Sequence, residues 1–329
     1  MKTRAHVRLA TLVISLLFVT SLAPVSAIAS EDGHFERTIS VTGPVDLDVE
    51  TVSGDITAHV GDSAKVEIHG RIHPSHGWFN GDVQQRIHDI ETNPPIEQSG
   101  NTIRVGHIEN HDWKNGISIS YDLIVPAQTK LRSESGSGDQ TVDGIAGPLD
   151  SNSGSGNVKL SNIGNETYAR TGSGSIELNS IHGNARATAG SGGIRAIGIN
   201  GGLTASSGSG NVELEQTAAG EVEIGTGSGD VQIKGATGAV KIQTGSGKIV
   251  AQGNPTADWQ LRSGSGNVTV ELPQQAAFNL VARSSSGNID TTREIAVQGR
   301  LSPRELQGTV GGGGPTVALS TSSGSIDIR

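Results

Sequence analysis

The strongest constraint on this chain is the tripeptide Gly-Ser-Gly, which returns at an almost constant spacing between residues 134 and 266. Successive copies are 18 or 19 residues apart. The second glycines of the copies are Gly138, Gly156, Gly174, Gly192, Gly210, Gly229, Gly247 and Gly266. A fixed period of this length is typical of a repeat protein in which each unit buries its apolar edge against its neighbours.

Each period contains two short stretches in which apolar and polar residues alternate. The first begins with the apolar column Val158, Ile176, Ile194, Val212, Val231, Ile249 and Val268. The second ends in a column of small residues, Ser135, Ser153, Thr171, Ala189, Ser207, Thr226, Thr244, Ser263 and Ser284. Alternation with period 2 predicts strands with one buried face, and the small column predicts a thin interior. We therefore predict an all-β fold, a single-stranded parallel β-solenoid (a flattened β-helix) with about 18–19 residues per coil.

The glycines are expected to form the corners of this coil. We predict a positive φ at one or both glycines of each Gly-Ser-Gly, because such bends often need a conformation that glycine adopts easily. The residue after each corner, such as Asp139 or Asp230, lies where a nonapeptide repeat would bind Ca²⁺, but most copies carry no acid there. We interpret these residues as polar corner formers and predict no cofactor.

One outward column of the repeats alternates in charge. It consists of Lys159, Glu177, Arg195 and Glu213. Stacking coils in register makes each charge the neighbour of its opposite, so the column indicates structural ion pairs rather than a catalytic site.

The first residues of the chain have the pattern of a secretory signal peptide. Lys2, Arg4 and Arg8 precede an apolar run over 9–23, and an A-x-A cleavage site lies at 27–29. We predict a signal peptide at 1–29, export to the periplasm, cell surface or medium, and no membrane span after cleavage. The sequence has no cysteine and a net charge of -9, which argues against a lipoprotein anchor, a disulfide framework and a nucleic-acid partner.

Residues 30–133 are predicted to form N-terminal coils with an inserted capping segment at about 74–116, and residues 134–329 the Gly-Ser-Gly repeats. Within the insertion, Val83, Ile87 and Ile90 have helical spacing, and two prolines at 94–95 end the predicted helix, 82–92. After Gly266 the period loosens, and we expect the charged final strand, 326–329, to form the blunt edge of the solenoid.

Three motifs of this chain resemble those of the bacterial putative-adhesin family of exported β-strand-repeat proteins. They are Phe35-x-Arg37 with Ser53-Gly54-Asp55-Ile56, the stretch Tyr121–Pro126 leading into Gly136-Ser137-Gly138-Asp139, and the closing stretch 321–326. The resemblance covers essentially all of the predicted mature chain. It implies a β-solenoid with an exported or surface location, and it supplies no catalytic residues.

Histidines cluster in and around the insertion. The candidate metal ligands are His69, His73, His107, His111 and Asp112. Histidines four residues apart on a helix can share a metal, but these lie in predicted loops and strand ends. We interpret them as exposed polar residues, with a metal site as the alternative.

Arg262 and Arg283 are the candidate partner-binding residues, because both fall in one outward column and like charges there attract an anion such as a phosphate or an acidic sugar. Trp259 lies nearby in the sequence, but its column points inward.

The function predicted from these features is non-enzymatic: an adhesin or envelope scaffold that presents a flat face to a protein or glycan partner. One alternative is a glycan-active enzyme that uses His107 or Asp112 in the insertion. Another is an accessory protein of an envelope-stress response.

Overall fold

The structure, a computed structural model, describes residues 32–62, 64–74, 82–108, 116–297 and 302–329. Residues Asp32–Arg329 form one compact unit. The predicted signal peptide lies outside the described residues. Within the described ranges, no helix has the length and apolar character needed to cross a membrane.

The N-terminal part contains the described helix and the first strands. In chain order they are β1 (Gly33–Ser40), β2 (Val45–Thr51), β3 (Ile56–Val60), β4 (Lys65–Pro74), α1 (Asp82–Thr92), β5 (Ile96–Ser99), β6 (Thr102–Val105), β7 (Ile117–Val125) and β8 (Thr129–Ser135). The helix has the bounds that the spacing of its apolar residues predicts.

The repeats supply β9 (Gln140–Asp143), β10 (Leu149–Ser153), β11 (Val158–Ile163), β12 (Thr167–Thr171), β13 (Ile176–Ile181), β14 (Ala185–Ala189), β15 (Ile194–Ile199), β16 (Leu203–Ser207), β17 (Val212–Gln216), β18 (Val222–Thr226), β19 (Val231–Ala236), β20 (Val240–Thr244), β21 (Ile249–Gly253), β22 (Trp259–Ser263) and β23 (Val268–Glu271). The C-terminal part adds β24 (Phe278–Ser284), β25 (Ile289–Thr291), β26 (Ala296–Val297), β27 (Glu305–Val310), β28 (Thr316–Thr321) and β29 (Ile326–Ile328).

All of these strands belong to two long sheets. Sheet A has the order β1-β4-β7-β3-β9, then the odd-numbered strands β11 to β23, then β29-β25. Sheet B has the order β26-β27-β24-β28, then the even-numbered strands from β22 down to β8, then β2-β6-β5. The repeat strands pair in parallel with partners one period away, as Val158 does with Ile176 and Val212 with Val231. The nearly all-β, solenoid-like fold is therefore confirmed.

The core lies between the inward faces of the two sheets. Its columns are aliphatic over most of the repeats, and large aromatic side chains are buried near the C-terminal end at Trp259 and Phe278. Gln140 is a polar exception. It is fully buried, accepts hydrogen bonds from the hydroxyls of Ser133 and Ser151 at 2.5 Å, and donates to the carbonyl of Asn152 at 2.6 Å. Its polar atoms therefore have partners inside the core.

The prediction of positive φ at the corner glycines is wrong. Positive φ occurs at other glycines, such as Gly144 and Gly198, and at none of the Gly-Ser-Gly positions. The corners need glycine because the coils approach so closely: a Cβ on Gly156 would lie 2.0 Å from the carbonyl oxygen of Gly138 in the preceding coil. The same clash recurs at Gly174 and at the other second glycines. Close stacking, not an unusual backbone conformation, selects the residue.

The small column beside each corner carries a repeated hydrogen-bond pattern. The hydroxyl of Ser153 donates to the carbonyl of Gly138 at 3.0 Å and accepts from the amide of Gly156 at 2.9 Å. Thr244 does the same with Gly229 and Gly247, both at 3.0 Å. Each hydroxyl therefore links two coils and satisfies a corner amide that would otherwise be buried without a partner.

The residues after the corners form a second ladder on the outside. The amide of Asn157 donates to a carboxylate oxygen of Asp139 at 2.7 Å, and the amide of Lys248 donates to Asp230 at 2.8 Å. Side-chain oxygens thus bind the backbone of the next coil, which is the corner-forming role expected of them.

The N-terminal end departs from the parallel pattern. Strand β4 pairs antiparallel with both β1 and β7, and β7 returns to a parallel pairing with β3. Helix α1 packs against β1, the outermost strand of sheet A. Its residues Val83, Ile87 and Ile90 are buried.

The prediction that the last strand forms the edge is wrong. Strand β29 lies between β23 and β25, and β28 lies between β22 and β24. In chain order, β24 and β25 come first and form the outermost coil, and β27 then pairs antiparallel with β24. The last strands, β28 and β29, lie between this coil and the coil of β22 and β23. At the C-terminal end the sheet edges are the short strands β25 and β26, and shortness is one way in which proteins protect a sheet edge.

Candidate partner-binding face

The outer face of sheet B carries a row of polar side chains that lie in register on neighbouring strands. Asp48 of β2, Arg132 of β8, Asp150 of β10, Tyr168 of β12 and Arg186 of β14 are successive partners in this row. The flanking residues of each strand are buried, so alternation turns this row to the outside.

Tyr168 is the centre of this face. It is 41% exposed, whereas the other aromatic side chains whose burial the structure describes, Phe35, Tyr121, Trp259 and Phe278, are buried. Its hydroxyl donates to a carboxylate oxygen of Glu166 at 2.7 Å, and this hydrogen bond holds the pKa of Tyr168 above its ordinary value. The ring is therefore anchored at its polar end and leaves a face available for contact.

The cationic side chains on this face fall into two groups, those with a nearby carboxylate and those without one among the described residues. The first group includes Lys130, Arg132 and Lys241. Lys130 approaches Asp46 at 3.5 Å and Lys241 approaches Glu223 at 2.6 Å. Arg132 donates from Nη2 to Glu134 at 2.5 Å, which raises the pKa of the arginine.

The second group includes Arg170 and Arg186, on the adjacent strands β12 and β14. Both are exposed, and neither has a carboxylate oxygen of the described residues within 4.0 Å. Arg186 is the direct neighbour of Tyr168, and Arg170 follows two residues later on the same strand. The exposed ring thus has unpaired guanidinium groups on two sides. We call Tyr168, Arg170 and Arg186 the tyrosine–arginine patch.

Three shallow depressions meet at Tyr168. One of about 230 Å³ is lined by Asp150, Tyr168, Arg170 and Arg186 among others. A second of about 400 Å³ extends to Asp46 on β2, and a third of about 430 Å³ extends to Glu223 on β18. Together they form an open channel that crosses the strands of sheet B, which we call the Tyr168 trough.

The structure does not bring the predicted metal ligands together. His69 Nδ1 lies 3.4 Å from Glu36, and His73 Nδ1 lies 3.2 Å from Asp32. His107 follows β6 on the other sheet, with Nε2 3.5 Å from Asp48 and Nδ1 3.4 Å from Glu50. His111 and Asp112 lie outside the described residues. No group of three or more potential metal ligands is found in the part of the chain that the structure describes.

Arg262 and Arg283 share one outward column, as expected, but they are not adjacent. Ser320 of β28 lies between them. Arg283 Nε donates to Glu305 at 3.0 Å, and Trp259 is fully buried with its Nε1 donating to the carbonyl of Gly238 at 3.0 Å. A role of Arg262 and Arg283 in partner binding stays a prediction.

The sequence contained a signal for the patch that the repeat pattern obscured. Thr167 and Ala169 fall in inward columns, so Tyr168 between them had to point outward. The lack of ion-pair partners at Arg170 and Arg186 depends on side-chain positions, which alternation does not specify.

Comparison with known proteins finds a family match for the C-terminal part of the chain. Residues 200–329 match the family model Toastrack DUF4097. Over these residues the match confirms the predicted resemblance to a family without an assigned function. No curated protein matches the chain.

Several solved structures are similar to the chain. One is a putative cell adhesion protein from Clostridium sporogenes, with 12% identity, 91% of this chain and 99% of that chain covered, and a TM-score of 0.22. Another is a putative lipid binding protein from Parabacteroides distasonis, with 14% identity, 90% and 97% coverage and a TM-score of 0.38. A third is a putative adhesin from Bacteroides fragilis, with 12% identity, 90% and 97% coverage and a TM-score of 0.24. At these TM-scores the similarities carry no argument about this chain.

Proposed function

We propose that this protein is a non-enzymatic, exported adhesin or envelope scaffold that binds a glycan or protein partner on the outer face of sheet B. The observation that carries this proposal is the tyrosine–arginine patch. Tyrosine and arginine are enriched among the residues that dominate binding energy at interfaces. Here they occur together, exposed, on a rigid surface of stacked strands.

The pattern of charge pairing supports the choice of this face. Cross-strand pairs such as Lys241 with Glu223 stabilise the stacking of coils, which is a structural role. Among the described residues, no carboxylate oxygen lies within 4.0 Å of Arg170 or Arg186. A guanidinium group with free donors next to an exposed aromatic ring suits recognition of an oxygen-rich ligand.

The test uses the exported chain and a triple variant, Tyr168→Ala with Arg170→Ala and Arg186→Ala. Glycan arrays and purified envelope proteins are screened at micromolar concentration. The matched control is Arg262→Ala with Arg283→Ala, which removes exposed arginines elsewhere on the same sheet.

The proposal predicts a ligand that the control retains and that the triple variant binds at least tenfold more weakly. A ligand that the triple variant binds as well as the wild type would overturn the assignment of this face, and so would the absence of any ligand. Loss in the control variant alone would support the site at Arg262 and Arg283 instead.

A further inference from the structure

We infer that the partner is a saccharide chain that carries an isolated carboxylate among neutral sugars, lying along the Tyr168 trough with the carboxylate at Arg170 and Arg186. This inference rests on the proposed function and names its ligand. It is carried by the shape of the trough, the chemistry of its lining and the order of charges along it.

The shape of the trough favours an extended polymer. It runs from β2 across β8, β10, β12, β14 and β16 to β18, and strands spaced about 4.8 Å apart make this a distance on the order of 29 Å. Small-molecule sites are concave and bury most of their ligand. The three depressions are open along their length, so a linear chain lying across the strands matches them better than a compact molecule.

The lining favours a sugar chain over a protein. Apart from Tyr168, Pro148 and Ala219, the outward side chains of the trough are polar or charged, among them Asp150, Asn152 and Thr204. Stable protein interfaces have an apolar, well-packed centre. Carboxylate, amide, hydroxyl and guanidinium groups around one exposed ring instead provide hydrogen bonds for hydroxyl groups and a flat surface on which a sugar ring can stack.

The order of charges along the trough identifies where an acidic group fits. Arg170 and Arg186 lie at its centre as a diagonal pair on neighbouring strands, about 7–8 Å apart at the backbone. Guanidinium groups bind carboxylates through two parallel hydrogen bonds. Among the described residues, no carboxylate oxygen lies within 4.0 Å of either arginine, and Glu223, on which Arg186 acts at longer range, is paired with Lys241. A ligand carboxylate would therefore not have to break an ion pair of these two arginines.

The two ends of the trough do not favour a polyanion. Asp46 and Asp48 lie at one end together with Arg104 and Lys130, and Glu221 and Glu223 lie at the other. Cations at both ends already have carboxylate partners, Lys130 in Asp46 at 3.5 Å and Lys241 in Glu223 at 2.6 Å. A polymer with a carboxylate on every sugar would compete with these carboxylates for the same cations, whereas a chain with widely spaced carboxylates would place neutral sugars there.

The experiment compares three probes on the exported chain by isothermal titration or biolayer interferometry. The first is deacylated gellan fragments, whose repeat has a single glucuronate among neutral sugars. The second is the same material with its carboxyl groups chemically reduced to alcohols. The third is polygalacturonate, which has a carboxylate on every sugar.

We expect gellan fragments to bind, and both carboxyl reduction and polygalacturonate to weaken binding at least tenfold. Arg170→Ala with Arg186→Ala should abolish the difference between native and reduced gellan, and Tyr168→Ala should weaken both. The control Arg71→Ala, which removes an exposed arginine from β4 of sheet A, should change neither. Low salt should strengthen the arginine-dependent part of the affinity.

Equal binding of native and reduced gellan, or tighter binding of polygalacturonate, would overturn this inference while leaving the proposed function intact. Failure of all three probes would also overturn it. The proposed function would fail separately if the triple variant retained every ligand found on the arrays.

Discussion

Surface charges are paired differently in two regions of the molecule. These are the repeat body, β8 to β23, and the N-terminal cap, residues 32–125. In the body, carboxylates approach lysine or arginine of the next coil, as Glu177 does with Lys159 at 3.7 Å and Glu213 does with Arg195. In the described part of the cap, carboxylates also lie within 4.0 Å of five histidines: His59 (Asp122), His69 (Glu36 and Glu67), His73 (Asp32), His88 (Glu91) and His107 (Asp48 and Glu50).

The backbone is also more regular in the body than in the cap. The coils of the body repeat one register, apart from shifts near the ends of the pairs β15–β17 and β19–β21. A corner glycine or a charged residue therefore meets nearly the same environment in each coil. The cap combines antiparallel strands with a helix, and its contacts occur once. Stability in the body is therefore shared among similar interfaces, whereas stability in the cap depends on individual side chains.

The largest effect is expected from a corner glycine of the body. Gly156→Ala places a Cβ 2.0 Å from the Gly138 carbonyl oxygen, so two coils must separate. We expect a loss of more than about 3 kcal/mol in the free energy of unfolding, measured by chemical denaturation. The matched control is Gly225→Ala, where nothing lies within 4 Å of the added atom and a change within about 0.5 kcal/mol is expected. Equal effects of the two changes would mean that the coils are not closely stacked.

The cap should respond locally to the loss of a single side chain. Ile87 of α1 is buried against β1, where a Cβ on Gly33 would lie 2.4 Å from its Cγ2. Ile87→Ala is expected to cost about 2–3 kcal/mol by leaving a cavity. Hydrogen exchange should then show lost protection in β1 and α1 and retained protection in β13 to β20. The exposed Gln84→Ala is the control. Loss of protection throughout the body would contradict the independence of the two regions.

The sequence predicted the strand register of the body better than the arrangement of strands at the C-terminal end of the fold, for a physical reason. In a repeat, each residue has equivalent neighbours, so alternation and period together determine the register of Lys159 with Glu177 and of their successors. The helix was also predictable, because Val83, Ile87 and Ile90 report its period directly. These inferences need only local patterns.

The features that the sequence did not predict depend on long-range packing. Strands β24 and β28 both fit the inward column, so nothing local determines which of them stacks on β22. The corner glycines were assigned for the wrong reason, because the clash at Gly156 involves a residue 18 positions away. For the candidate site, alternation turned Tyr168 outward, but the unpaired state of Arg186 became visible only from side-chain positions.

A smaller effect tests the hydroxyl links between coils of the body. Ala189 interrupts the small column, so the amide of Gly192 lacks the hydroxyl that serves Gly210 through Ser207 at 2.9 Å. Ala189→Ser should add this link and stabilise the protein by about 1 kcal/mol in thermal or chemical unfolding. Ala205→Ser is the control, since it buries the same hydroxyl on an inward position away from a corner and should destabilise. If both changes destabilised the protein, the hydrogen bonds of the column hydroxyls would only offset the cost of burying those hydroxyls and would add no stability.

The smallest effect concerns lysine–glutamate pairs, which occur in both regions and should behave alike. Hydrogen bonds from Lys65 in the cap and from Lys241 in the body lower the pKa of Glu67 and Glu223 below the ordinary 4.5. Because a lowered pKa favours the charged carboxylate in the folded state, this stabilisation is present above pH 4.5 and is lost as the pH falls through the lowered pKa. Lys65→Gln and Lys241→Gln should each raise the pKa of the partner carboxyl in an NMR titration, because each removes the largest cause of its lowered pKa. The effect on stability should be small, since the groups are exposed and screened by salt. If only Glu223 shifted, pairing of this kind would be a property of the stacked coils rather than of lysine and glutamate placed side by side on any sheet.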